Sequence, residues 1–160
     1  MINLLIRWLI FVHILSAISF FLAHGASAAM AFKIRNETDF TRIRAMLDLS
    51  WSTMTLMGVS FLIMGLTGIA LPFLIHIWNK GYIWLSIVLM VFVFVYMAIF
   101  NDKHYKQVRR LVGLPYMKSG KELPAEPPSS PEEVAALLRK TSVWSLVVVG
   151  YMIPAIVLWL

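Results

Sequence analysis

Long apolar runs alternate with short polar stretches along the whole chain. Four runs stand out, at about Leu4–Phe32, Trp51–Trp78, Tyr82–Phe100 and Ser142–Leu160. Each approaches or exceeds the roughly 20 residues an α-helix needs to cross a bilayer core. Because lipid cannot satisfy a backbone amide, such runs cross as helices whose hydrogen bonds close internally. The pattern therefore predicts an all-α protein, an integral membrane four-helix bundle occupying residues 1–160 as a single four-span membrane domain. Only Asn79-Lys80-Gly81 separates the second and third runs, which predicts a tight hairpin turn. Residues 33–50 and 101–141 form the two longer polar loops.

Within the first loop, Phe40, Ile43, Leu47 and Trp51 recur at helical spacing. The pairs Asp39/Arg42 and Arg44/Asp48 are oppositely charged at i,i+3 and i,i+4. An amphipathic helix running into the second span is expected, chiefly as a solvated extension. The third span is expected to continue as helix through Asn101–Val112, with Gly113 as its C-terminal cap and Pro115 as its stop. On that helix Lys103, Lys106 and Arg110 share a face suited to anionic lipid headgroups, although a solvated face is the plainer reading. Lys118–Ser130 is Pro-rich and poor in apolar residues, which predicts an extended, mobile linker. Ser130-Pro131-Glu132-Glu133 places a capping Ser, a first-turn Pro and a Glu at the third position. A short helix over Pro131–Lys140, leading into the last span, follows from it.

Composition and charge then give the bundle an orientation. The chain is 60% apolar and 14% charged, outside the range of soluble domains. Its net charge of +6 comes from basic residues beside the apolar runs, so anionic lipid, not nucleic acid, is the expected partner. Twelve of the fourteen Lys and Arg lie in the two longer loops; Arg7 and Lys80 are the exceptions. The positive-inside rule puts both loops in the cytoplasm and both termini outside. The six tryptophans, Trp8, Trp51, Trp78, Trp84, Trp144 and Trp159, all fall near predicted span ends, as interfacial belts require. Residues 1–28 also fit a secretory signal ending at Ala26-Ser27-Ala28. Cleavage there would strand both basic loops outside, so residues 4–32 are expected as a retained first helix. With no cysteine, thiol chemistry is excluded.

All eight carboxylates, from Glu37 to Glu133, lie in the cytoplasmic loops. Ion-coupled transporters keep such a group within the membrane, so a small carrier or pore is the least favoured reading. Neither a nucleophile triad nor a Gly-rich phosphate loop is present, which leans against catalysis. Chemistry within the spans reduces to His13 and His24. Eleven residues apart, they share one face about 16 Å apart, together with Ser16, Ala17, Phe20, Ser27 and Ala28. A helical imidazole in a bundle core can ligate haem b. Met57 and Met97, near the depth of His24, and Met90, near that of His13, are the candidate second ligands. Packing competes with this reading, because methionines fill cores and an intramembrane His can bond across helices. His76 and His104 fall near the interfaces. Gly25, Ala29, Gly58, Gly65 and Gly68 read as close-packing positions, a quinone or pigment groove being the alternative. Pro72 and Pro154 are expected to kink their spans.

Arg7-Trp8, Phe11-Val12-His13 and the small-residue stretch after them resemble the opening helix of a loose group of bacterial four-helix membrane proteins. The group includes an uncharacterised family of integral membrane proteins, the copper-resistance D-type proteins and the haem-carrying membrane protoporphyrinogen oxidase. Gly65-Leu66-Thr67-Gly68 is similar to a Gly-containing stretch of their second helix. The resemblance covers about the first hundred residues and implies a bacterial inner-membrane, multi-pass protein. It also implies that His13 matches the oxidase's first-helix haem ligand. The oxidase uses a third-helix lysine, and Tyr82–Phe100 contains none.

The favoured expectation is a non-catalytic accessory or structural subunit, associating with other membrane subunits or with copies of itself. A haem b- or quinone-binding redox protein using His13 and His24 is the alternative.

Overall fold

A computed structural model describes residues 2–96, 99 and 102–140. The fold is predominantly helical, as the sequence predicts. Helix α1 spans Ile2–Ile34, α2 Phe40–Leu74, α3 Gly81–Tyr96 and α4 Asp102–Leu111. A β-hairpin of β1 (Tyr116–Lys118) and β2 (Lys121–Leu123) follows, then α5 over residues 131–140. Two helices, α1 with 33 residues and α2 with 35, are long and apolar enough to cross a membrane. The predicted last span, Ser142–Leu160, with Pro154, lies outside the described residues.

The first polar loop nearly disappears into α2. Asp39 caps the helix: its carboxylate accepts the Thr41 amide at 2.8 Å and its carbonyl the Ile43 amide at 3.0 Å. Only residues 35–39 remain to join α1 to α2. At the other end α2 stops at Leu74, earlier than expected, so the turn into α3 covers residues 75–80. Pro72 lies in the last turn of α2, two residues before that end. Trp84 Nε1 donates to the Trp78 carbonyl at 3.0 Å across this turn.

The chain forms two compact units, residues 1–27 with 50–87 and residues 28–49 with 88–160. In the first, α1 buries Ser16, Phe20, Ala23 and His24, a stripe at helical spacing. Phe20 packs on Phe61 of α2 with ring centroids 5.7 Å apart. Large apolar side chains such as Leu4, Leu22, Leu62 and Phe73 stay exposed.

In the second unit Ile34, Ile43 and Leu47 pack with Val108, Leu111 and Val112, and with Val134 and Leu138 of α5. Ile43 is 1% exposed and Leu47 2%. The amphipathic start of α2 is thus a core element, not a solvated extension. The expected Arg44/Asp48 pairing is replaced by longer-range partners: Arg44 Nε donates to the Val112 carbonyl at 2.6 Å, and Asp48 meets Arg109. The Asp39/Arg42 pair does form, at 3.7 Å.

Helix α4 ends as its sequence predicts. Gly113 takes φ 75°, its amide bonds to the Arg110 carbonyl, and the Leu114 amide reaches the Arg109 carbonyl at 2.9 Å. That pair of bonds is a Schellman cap, which needs the left-handed residue glycine supplies. Beyond it the chain departs from the expected mobile linker. Ser119 and Gly120, at φ 53° and 78°, make the two-residue turn whose twist suits a hairpin, aligning Tyr116 with Leu123 and Lys118 with Lys121. The extended residues that follow are tied down, since the Ser129 amide donates to the Leu111 carbonyl at 2.8 Å. Ser130 then caps α5, its hydroxyl accepting the Glu133 amide at 3.3 Å.

Candidate functional site

His13 is held against α2. Its Nδ1 lies 3.1 Å from the Met64 carbonyl and 2.9 Å from Thr67 Oγ1. A carbonyl can only accept, and the Thr67 hydroxyl already donates to the Ile63 carbonyl at 2.7 Å. Both contacts therefore assign a proton to His13 Nδ1. Metal-ligating histidines commonly donate such a proton, and so do histidines that merely bond across helices. Gly68 makes the approach feasible: a Cβ there would stand 3.0 Å from His13 Cε1.

His24, 5% exposed, behaves differently. Its ring stacks nearly parallel to Phe20 at 6.0 Å, and its Nε2 is buried without a hydrogen-bond partner. Buried polar atoms are normally paired, so this nitrogen marks His24 as a residue whose role packing alone does not explain. The rise of α1 still keeps the two imidazoles about 16 Å apart. Two axial nitrogens on one iron stand only about 4 Å apart, so His13 and His24 cannot share a haem. Met57 and Met90 are half-buried on α2 and α3, and Met97 lies outside the described residues.

Other small and polar residues fasten α1 to α2. Ser27 and Ser50 hydroxyls meet at 2.7 Å. Of the expected close-packing glycines, Gly68 touches a facing side chain, whereas a Cβ at Gly25 or Gly58 would meet nothing within 4 Å. Ala29 is likewise exposed. Gly25 and Ala29 lie off the buried stripe of α1, which runs through Ser16, Phe20, Ala23, His24 and Ala28. His76 is exposed at the end of α2 and His104 half-buried on α4. Among the described residues no three His, Asp or Glu side chains gather as a metal site.

The second polar constellation surrounds α4. Lys103, Lys106 and Arg110, one helical face, line a groove of about 530 Å³ with Lys118 and Ser119 of the hairpin opposite. Two contacts hold that wall in place. Tyr116, 8% exposed, donates its hydroxyl to Glu126 at 2.5 Å, and Arg109 Nε donates to the Pro115 carbonyl at 2.9 Å. The Glu126 hydrogen bond favours the neutral phenol and raises the Tyr116 pKa above its ordinary 10.0, with burial adding to the effect. Arg109 itself is buried, paired with Asp48 at 2.9 Å and bonded to the Leu47 carbonyl. Lys118, Arg109 and Tyr116 escaped the sequence reading, although Ser119-Gly120 between two short β-prone runs is a hairpin signal.

Comparison with family models, with curated proteins and with solved structures finds no match to this chain.

Proposed function

We propose that the chain is a multi-pass protein of a bacterial inner membrane, N- and C-termini outside, and a non-catalytic accessory subunit of a larger membrane assembly. The engagement of His13 carries this reading. The strongest chemical candidate in the spans ties α1 to α2 through Met64 and Thr67, as Ser27 and Ser50 do further along. Polar groups spent on helix packing make a scaffold, and the exposed apolar faces of α1 and α2 are left for lipid or neighbouring helices. Extraction in mild detergent, followed by native sizing, tests it. Co-migration with a defined larger complex is expected; a stable solitary monomer overturns it. Orientation has its own test: a cysteine replacing Ser119 is labelled only from the cytoplasmic side.

A haem- or quinone-binding role is the second reading, favoured by the buried, unpartnered Nε2 of His24. Reduced-minus-oxidised spectra of the purified protein separate the two. The accessory reading expects no stoichiometric haem. A Soret band abolished by His24→Ala or His13→Ala reverses the ranking.

A further inference from the structure

The groove beside α4 combines features that neither of its walls has alone. Lys103, Lys106 and Arg110 repeat at i, i+3 and i+7, so they form one cationic edge. Lys118 faces that edge from the hairpin, with the Ser119 hydroxyl beside it and Gln107 on the helix side. Glu126 is the neighbouring carboxylate, and it is occupied: it accepts from Tyr116 and lies 3.9 Å from Arg110 Nε, which leaves the other guanidinium donors of Arg110 for a ligand. Three lysines and one arginine thus bring four cationic side chains to one open groove. A tetrahedral phosphate, with several acceptor oxygens, suits Lys point charges and an Arg fork together.

We infer that this groove binds the phosphate headgroup of an anionic phospholipid in the leaflet facing the basic loops. The inference rests on the membrane reading above. Its source is set by reach: Asp102 follows Tyr96, the end of apolar helix α3, by six residues, at most about 20 Å of chain. The groove is therefore tethered at headgroup level, where each Lys or Arg adds roughly a five-fold gain for an anionic surface. Tyr116 and Met117 lie beside the groove as apolar flank.

Full-length protein in neutral detergent, titrated with short-chain phosphatidylglycerol and followed by thermal melting, provides the test. Saturable stabilisation is expected, and short-chain phosphatidylcholine should give none. Each of Lys103→Gln, Lys106→Gln and Lys118→Gln should weaken phosphatidylglycerol binding about five-fold, and the triple variant roughly a hundredfold. The matching Lys→Arg triple should retain it, which separates lost charge from lost fold. Equal response to both lipids, or a triple variant that binds like wild type, overturns the site. Inorganic phosphate stabilising as strongly as phosphatidylglycerol reassigns the groove to a soluble phosphate compound and overturns the lipid. The readout needs no partner complex, so it fails or succeeds independently of the accessory role.

Discussion

The guanidinium of Arg109 lies 2.9 Å from the Asp48 carboxylate and fastens α4 to the first turns of α2. Arg109 is 5% exposed, whereas the Asp48 side chain is 56% exposed. The two halves of the pair are therefore unequal. Replacing Asp48 with Ala leaves a buried cation that still has the Leu47 and Pro115 carbonyls, and water can reach the vacated side. A loss of about 1–2 kcal/mol follows. Arg109→Ala removes the buried stem as well and should cost more, about 2–4 kcal/mol. Arg109→Lys should not restore the loss, because one ammonium cannot reproduce the fork that reaches Asp48, Leu47 and Pro115. Denaturant melts in detergent measure all three; equal stability of Asp48→Ala and Arg109→Ala would refute the asymmetry.

His13 and Gly68 should couple in the same way across α1 and α2. Gly68→Ala gains about 1 kcal/mol of helix propensity but drives its Cβ against the imidazole, so little net change is expected. Gly68→Leu adds bulk with no such gain in room and should cost about 1–3 kcal/mol. His13→Ala should cost about 1–2 kcal/mol through the lost bond and packing. Combined, the two should be less damaging than their sum, because the leucine enters the space left by the imidazole. Strict additivity in thermal melts would mean that Gly68 is not the seat of His13.

Much of this architecture was legible in the sequence because local rules dictate it. Gly113 and Ser130 each announce a helix boundary by chemistry that acts over four residues. Leu4–Phe32 announces α1 by length alone. The partnerships of Asp48, Arg44 and Arg109 were not legible, since each joins residues more than 60 apart and an i,i+4 neighbour offered a plausible false partner. The Ser119-Gly120 turn carried its signal, but a proline-rich stretch downstream masked it as linker. Of the groove, the sequence showed the helical edge and hid the hairpin edge, because Lys118 arrives there only once the chain reverses. His13 and His24 were visible as candidates. That one is bonded to α2 and the other is not depends on the facing helix.

His76 ends α2 at φ 54°, in the left-handed position that glycine normally occupies. The Ile77 amide reaches back to the Pro72 carbonyl at 3.2 Å, so the cap is formed and the side chain bears the strain. For an ordinary L-residue this region costs roughly 1 kcal/mol. His76→Gly should therefore raise stability by about 0.5–1 kcal/mol, despite the greater freedom glycine has when unfolded. A lower melting temperature for His76→Gly would show that the imidazole makes up its backbone strain through contacts of its own.

Tyr116 supplies a pH test of the groove's outer wall. Its hydroxyl donates to Glu126, and that bond, followed by burial, raises its pKa above 10.0. A raised folded-state value means that the stabilisation is fully present below 10.0 and is lost as pH climbs through the higher folded value. The hairpin should accordingly stay docked at neutral pH and release only in strong alkali, when two like charges would face each other. The difference in tyrosinate absorbance between wild type and Tyr116→Phe isolates this one titration, and its midpoint should lie above that of free tyrosine. Proteolysis within residues 113–130 should accelerate over the same alkaline interval in wild type. In Tyr116→Phe it should already be fast at neutral pH, because the phenylalanine cannot donate to Glu126. A midpoint at the ordinary value, or a cleavage rate unaffected by the substitution, would show that Tyr116 does not anchor the hairpin that carries Lys118.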